Sequence, residues 1–403
     1  MPWKESDRVD RRSAFVRDVK SGSLSMVEAC QRYGVSRPTG YKWLTRFKES
    51  GEGGLEDRAS VARTQPLKTP PLIERALVTA RKKYRWGPKK LVAMLRKAQP
   101  ELSWPAPSTA GSILERHGLV RRRRTRRRVE HPGQPTTPML RPNAVWTMDY
   151  KGQFKTGDGR YCYPLTVADG YSRFLLACRG LVGTLYEPTR AALERLFRHF
   201  GLPEAIRTDN GVPFASEALG RLSRLSVWWI KLGIRPELIE PGAPQQNGAH
   251  ERMHRTLKAR TARPPAAHAQ AQQRRFDRFR REYNHVRPHE GLGQETPASL
   301  YQASARPYPD REPEIEYPGH FEVRRVSRNG GVRWAKRWLN VSSVLAEEHV
   351  AFEEVDDAVW SLYFGAVLLA RFDERKFKLY AAEPYQRQTK EMGKTMRARR
   401  GRV

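Results

Sequence analysis

Along the first 120 residues apolar positions recur every three to four residues, the period of amphipathic helices, in bursts separated by turn residues. Residues 14–21, 26–33 and 37–48 form one set of three. Between its second and third members stands Gly34-Val35-Ser36, a tight turn in which Gly34 supplies a positive φ and Ser36 an N-cap, with Pro38 tolerated in the first turn that follows. Val35, Trp43, Leu44 and Phe47 give the third helix an apolar face. The opposite face offers Arg37, Thr39, Tyr41, Lys42 and Arg46 to a DNA major groove, as a helix-turn-helix does. A small protein-binding bundle is the alternative reading of the same pattern. Residues 73–84, 88–97 and 108–117 repeat the plan, with Ser108 as expected N-cap, Gly118 as expected C-cap, and Ser108 and Thr109 as candidate DNA contacts.

From residue 145 the period changes. Val145–Tyr150, Tyr161–Ala168, Phe174–Arg179, Ala205–Thr208 and Ile234–Leu238 are β-branched and aromatic runs that predict strands, with a hairpin at Thr156-Gly157-Asp158-Gly159. Helices are predicted at 189–200 and around Glu251, so the middle third is α/β. From Phe321 to Tyr380 short alternating segments, one of them Val332–Trp338, are broken by Asn329-Gly330-Gly331 and Gly365-Ala366 and predict a small β-barrel. The expected multidomain order is a helix-turn-helix domain at 1–50, a Gly- and Pro-rich linker at 51–71, a second such domain at 72–120, an Arg-rich linker at 121–143, an α/β core at 144–301, the barrel at 315–382 and a basic tail at 383–403.

Charge narrows the partners. The 403 residues carry 75 Lys and Arg against 43 Asp and Glu, a net +32, and the excess is +18 over residues 1–140, +10 over 141–300 and +4 over the rest. Such a balance points to a polyanion, and double-stranded DNA is the expected partner. Arg121, Arg122, Arg123, Arg124, Arg126, Arg127 and Arg128 form a block that repels itself unless phosphates neutralise it. The longest apolar runs, such as Val367–Ala370, are far too short to cross a bilayer, so no membrane partner is expected. Three scattered cysteines and an N-terminus without an apolar leader lead to the expectation of a reducing cytoplasm.

Against this basic background Asp149, at the end of a predicted strand, needs a reason. Asp209 follows the next strand and Glu251 lies on a helix beyond it. Carboxylates on rigid elements suit a pair of Mg2+ ions about 3.5 to 4 Å apart, the arrangement used in phosphoryl transfer. Spacing alone leaves Asp158, Asp169 and Glu240 as rivals.

The stretches VWTMDYKG, VADGYSRF, IRTDNGVPFAS, PGAPQQNGAHERMHRTLK and YNHVRPHEGLGQETPASLY, in this order over residues 140–301, resemble the core of bacterial insertion-sequence transposases, which share their catalytic domain with retroviral integrases. The resemblance implies a ribonuclease-H-like fold with a mixed sheet and an acidic triad of Asp149, Asp209 and Glu251 binding two Mg2+, with Mn2+ as a substitute. It implies a structural role for Asp169. It also implies a polynucleotidyl transferase that binds the terminal inverted repeats of a mobile element, cleaves its ends and joins the 3′-hydroxyls to target DNA. At least a dimer is expected, in the bacterial cytoplasm at the nucleoid. His254, Arg255 and Lys258, at i+3, i+4 and i+7 from Glu251, are candidate phosphate contacts. The chain lacks the His-His-Cys-Cys zinc module of retroviral integrases, helix-turn-helix modules taking its place as in many bacterial relatives, and it departs from the superfamily in a wide gap between Asp209 and Glu251 whose surplus is expected in 216–233, as one long helix or a helix with an extension. A catalytically idle regulator and a nuclease on the same fold are the rival functions.

Overall fold

Three helices, α1 (Arg8–Lys20), α2 (Met26–Tyr33) and α3 (Arg37–Ser50), begin the chain. In this computed structural model, which describes residues 8–57, 68–120, 137–240 and 244–381, they form the unit Met1–Pro70, separate from Pro71–Val403. Ser25 and Glu28 close a capping box on α2, Gly34 ends it at φ 66°, and Ser36 caps α3. Phe15, Val16, Ala29, Cys30 and Trp43 make the core, joined by Leu55. That last residue corrects the expected linker. Gly51–Leu55 is a 3-10 helix whose Leu55 is buried, with Arg12 donating to its carbonyl at 2.7 Å and pairing with Asp57 at 2.7 Å. Glycine is needed at position 54, where a Cβ would stand 2.2 Å from the Arg46 carbonyl oxygen. Residues 58–67 of the expected linker, the Arg121–Arg128 block and the tail from 383 lie outside the described residues.

The second unit opens with α4 (Pro71–Tyr84), α5 (Pro88–Ala98) and α6 (Pro107–Arg116), around Leu77, Trp86, Leu91, Trp104, Ile113 and Leu114. Ser108 is not the N-cap. Ala106 holds that position without a side-chain bond and Pro107 takes the first helical place, so Ser108 falls inside the first turn. His117 is the C-cap, one place before the expected Gly118, which takes φ 67° just beyond it. Lys89 pairs with Glu290 at 3.4 Å, Lys97 pairs with Glu295, and the Arg287 guanidinium lies 5.5 Å from the Trp86 ring centre, tying α5 to the segment after the core helices.

The core sheet comprises β1 (Val145–Tyr150), β2 (Phe154–Lys155), β3 (Tyr161–Asp169), β4 (Leu175–Leu181), β5 (Ala205–Thr208) and β6 (Arg235–Leu238). Its order is β2-β3-β1-β5-β6, with β4 also on β3. β1, β5 and β6 run parallel while β3 is antiparallel to β1 and β4, which is the mixed sheet of the ribonuclease-H-like fold. One face packs Trp146, Met148, Leu176 and Ile206 against α7 (Tyr186–Phe200) and α8 (Arg224–Lys231) through Phe197, Trp228 and Trp229. The other face meets α9 (Gly248–Thr261) and α10 (Ala269–His285) through Met253, Leu257, Phe276, Phe279 and Tyr283.

The sequence pattern did not predict α10, which covers the sheet edge. Asn284 accepts from the Leu175 N–H at 2.8 Å and donates to its carbonyl at 3.0 Å. Gln273 treats the Gly180 N–H and the Cys178 carbonyl in the same way, both at 3.0 Å. Side-chain amides thus stand in for a neighbouring strand. In 216–233 the chain takes the second of the two expected arrangements, a helix preceded by a short 3-10 extension at Leu219–Arg221. Gly220 at φ 64° breaks the backbone and the Ser223–Ser226 capping box starts α8 afresh. Trp228 and Trp229 of α8 face the sheet, whereas Val227 and Ile230 join the C-terminal core.

That C-terminal region holds β7 (Glu322–Arg325), β8 (Gly331–Trp334), β9 (Arg337–Asn340), β10 (His349–Asp356), β11 (Val359–Phe364), β12 (Val367–Asp373) and β13 (Lys378–Ala381). The single strand expected at 332–338 is a hairpin, turning at Ala335 and Lys336 with φ 43° and 66°. The others form an antiparallel sheet in the order β13-β12-β11-β10-β7, and among the described residues no pairing joins its two edges into the expected closed barrel. No helix among the described residues is long and apolar enough to cross a membrane.

Candidate active site

Parallel pairing of β1 with β5 sets Val145 beside Ala205, Trp146 beside Ile206 and Thr147 beside Arg207. Continued by two residues, that register brings Asp209, just past β5, next to Asp149. Glu251 is exposed in the first turn of α9. Burial pushes the Asp149 carboxyl up to about 7, the charge of Asp209 adds to the shift, Lys151 opposes it and Glu251 contributes a little. Both other acids therefore act on Asp149. The loop after β5 is held by its own polar groups: Asp209 accepts from the Gly211 N–H at 3.2 Å and Asn210 donates to the Ile239 carbonyl at 3.0 Å.

Beneath the acids lies a buried polar chain. Thr166 on β3 donates to the Asp149 carbonyl at 3.0 Å, and its oxygen lies 2.7 Å from Nε2 of His250 and 2.6 Å from Nε2 of His254. With the one hydroxyl proton directed at the carbonyl, both imidazoles must donate through Nε2. Nδ1 of His254 lies 3.3 Å from Oδ2 of Asp149. Burial depresses His254 to about 2 and His250 to about 3, while Asp149 is raised. Nδ1 of His250 lies 2.9 Å from the Thr147 hydroxyl on β1, so α9 is fastened to both strands that shape the site. Replacing Thr166 with Val is expected to cost about 1–3 kcal/mol in urea unfolding, because two buried imidazole N–H groups lose their acceptor. An unchanged midpoint would mean that the hydroxyl is not the tie.

These residues suit a hard divalent cation in chemistry, since the facing Asp149 and Asp209 offer carboxylate oxygens whose mutual repulsion a cation relieves. Among the described residues, no three His, Cys, Asp or Glu side chains form a group ready to hold a metal, so Glu251 does not complete the pair as the chain stands.

His254, expected at the DNA, is only 3% exposed and turned towards Thr166 and Asp149; its place on the apolar face of α9, with Met253 and Leu257, buries it. Arg255 and Lys258 are exposed on the same helix. On α3, Arg37, Tyr41 and Lys42 are exposed, Thr39 shares a hydrogen bond with Ser36 at 2.9 Å, and Arg46 lies 5.0 Å from the Trp43 ring centre. Ser108 and Thr109 are exposed on α6. Asp169 is buried, accepting from Asn143 N at 2.8 Å, Ser172 N at 2.7 Å and the Ser172 hydroxyl at 2.5 Å, and so holds the turn between β3 and β4. Sequence reasoning passed over His250 and Thr166. The available signal was a histidine pair at i, i+4 on the helix that carries Glu251.

This sheet, with acids on neighbouring parallel strands, defines an integrase-type core, the core of polynucleotidyl transferases. Integrase core domain families match residues 140–244 and 232–297, and homeodomain-like domain families match 6–56 and 39–114. The chain is 28% identical over 298 residues to an uncharacterized 39.2 kDa protein of insertion element IS476 from Xanthomonas euvesicatoria, covering 72% of this chain and 76% of that one. It is 31% identical over 188 residues to an uncharacterized 31.7 kDa protein of insertion element IS407 from Burkholderia multivorans, covering 45% of this chain and 63% of the relative. A chain of the simian T-cell lymphotropic virus intasome aligns over 72% of this chain and 97% of its own length at 18% identity, with a TM-score of 0.36. The chain thus carries an integrase core and homeodomain-like helix-turn-helix DNA-binding domains, and it is similar to proteins of bacterial insertion elements.

Proposed function

We propose that this protein is a transposase that binds the terminal inverted repeats of its element, cleaves the element ends and joins the freed 3′-hydroxyls to target DNA, with Asp149, Asp209 and Glu251 as the catalytic acids. The observation that carries the reading is the juxtaposition of Asp149 and Asp209 at the ends of adjacent parallel strands, with Glu251 inside the same field. Asp149, Asp209 and Glu251 would hold two Mg2+, or Mn2+ in their place, which would supply Lewis-acid activation at phosphorus. The protein's own part is to place the oxygens. His254 keeps the Asp149 carboxyl in its rotamer, and the Thr166–His250 bond fixes the helix that bears Glu251. Arg255 and Lys258 lie on the exposed side of that helix, where they neutralise backbone phosphates. In joining, the 3′-oxygen forms a new bond to a target phosphorus as the bond from that phosphorus to its own 3′-oxygen breaks, and no covalent enzyme intermediate is required. An element has two ends, so the working species is at least a dimer.

The test is a strand-transfer reaction with a pre-cut end, target DNA and Mg2+. Joined products support the transposase. Cutting without joining leaves a nuclease, and end binding without either leaves a regulator. For the recognition helix, Lys42→Ala combined with Arg46→Ala is expected to weaken end binding about tenfold or more and to lower the salt slope. Unchanged affinity across a salt titration would reassign the recognition helix.

A further inference from the structure

Three of the motifs in the core, VADGYSRF, AHERMHRTLK and YNHVRPHE, send side chains to a cavity that the carboxylate chemistry leaves unused. It measures about 330 Å3 and lies between α5, α9, the end of α10 and the segment that follows. Lys90 reaches it from the second helical module, Arg173 from the turn before β4, Arg252 and Arg255 from α9, and Arg287 and His289 from the chain after α10. The only carboxylate among the described residues of its wall, Glu290, is already engaged by Lys89.

Among the described residues, none of these Lys and Arg side chains has a hydrogen bond or an ion pair, and Nε2 of His289 is buried without a partner. Lys90, Arg173 and Arg287 are partly withdrawn from water. Burial first, then the charge of Arg287, lowers Lys90 to about 8, and burial also lowers Arg173 and Arg287. Glu290, Asp169 and Glu282 offset part of this for Lys90, Arg173 and Arg287, but cations gathered and desolvated without a directly paired anion are costly, and the group that relieves them is an anion. Guanidinium forks match a phosphate in shape and donor number. The neighbouring cavity, lined by Glu251, shares Arg173, Ala249, Arg252, Met253 and Tyr283 with this one, so a strand crossing the basic pocket continues towards Glu251.

We propose that this cavity is a phosphate pocket that grips the backbone of bound DNA beside the catalytic acids and, through Lys90, makes the second helical module part of that grip. The proposal rests on the DNA-processing function above and adds a contact that function does not require.

The experiment compares the full chain with its Lys90→Gln, Arg287→Gln double variant. In salt titrations of duplex binding, the double variant is expected to bind about tenfold more weakly with a log–log slope smaller by about one to two, since each lost phosphate contact removes about 0.9. Inorganic phosphate, against chloride at equal ionic strength, is expected to raise the unfolding midpoint of the unaltered chain and not that of the variant. Should the double variant unfold, Lys90→Gln alone, on the partly exposed α5, is expected to lower the slope by about one. Equal slopes and affinities in a folded variant overturn the proposal. A response to inorganic phosphate alone also overturns it, as the pocket then serves a free anion and not DNA. If the unaltered chain fails to bind duplex at all, the parent reading falls instead.

Discussion

Glu251→Gln is expected to lower joining of pre-cut ends by about 1000-fold or more, equivalent to about 4 kcal/mol of transition-state stabilisation, while end binding stays within about twofold. The substitution keeps the shape of the side chain and removes only its charge and one oxygen ligand. Glu251 is exposed on α9, so neither the core cluster of Met253 and Leu257 nor the His250–Thr166 tie should change. The recognition helix α3 lies in the other unit of the chain, which is why binding serves as the internal control. Joining that persists above about a tenth of the original rate would remove Glu251 from the triad, whatever the fate of the two aspartates.

Glu237→Ala is expected to destabilise the core by about 3–5 kcal/mol. Arg207, on β5 two residues before Asp209, is wholly buried and rests on Glu237 of β6 through contacts of 3.2 and 3.0 Å, with a third bond to the Thr137 carbonyl at 2.8 Å. Its remaining guanidinium nitrogen already lacks a partner. Taking away the carboxylate strands a buried charge, a larger loss than the pair contributes relative to an apolar replacement. Denaturant unfolding of the two proteins measures it. A loss below about 1 kcal/mol would mean that water reaches Arg207 and the pair behaves like a surface one.

Most elements were legible where a local rule governs them. β1 and β5 follow from β-branched and aromatic runs, and α2 and α3 from the Gly34-Val35-Ser36 turn and its caps. Two misses share a cause. The β8–β9 turn is built on Ala335 and Lys336, residues that carry no turn signal, and α10 is so polar that its buried Phe276, Phe279 and Tyr283 are hard to see among its arginines. Both are imposed by packing: the hairpin folds over the Trp334 core and α10 caps the open edge of β4.

By itself the chain's order of residues determined the succession of helical and α/β modules, the polyanionic partner and the identity of the acids to examine, because periodicity, net charge and the neighbours of an aspartate are local properties. Only tertiary structure decided that His254 faces Asp149 and not solvent, that Leu55 closes the first helical core, and that cations from four distant segments line one cavity. Each of those depends on strands and helices far apart in the chain packing side by side, and pattern along a sequence carries no such distance.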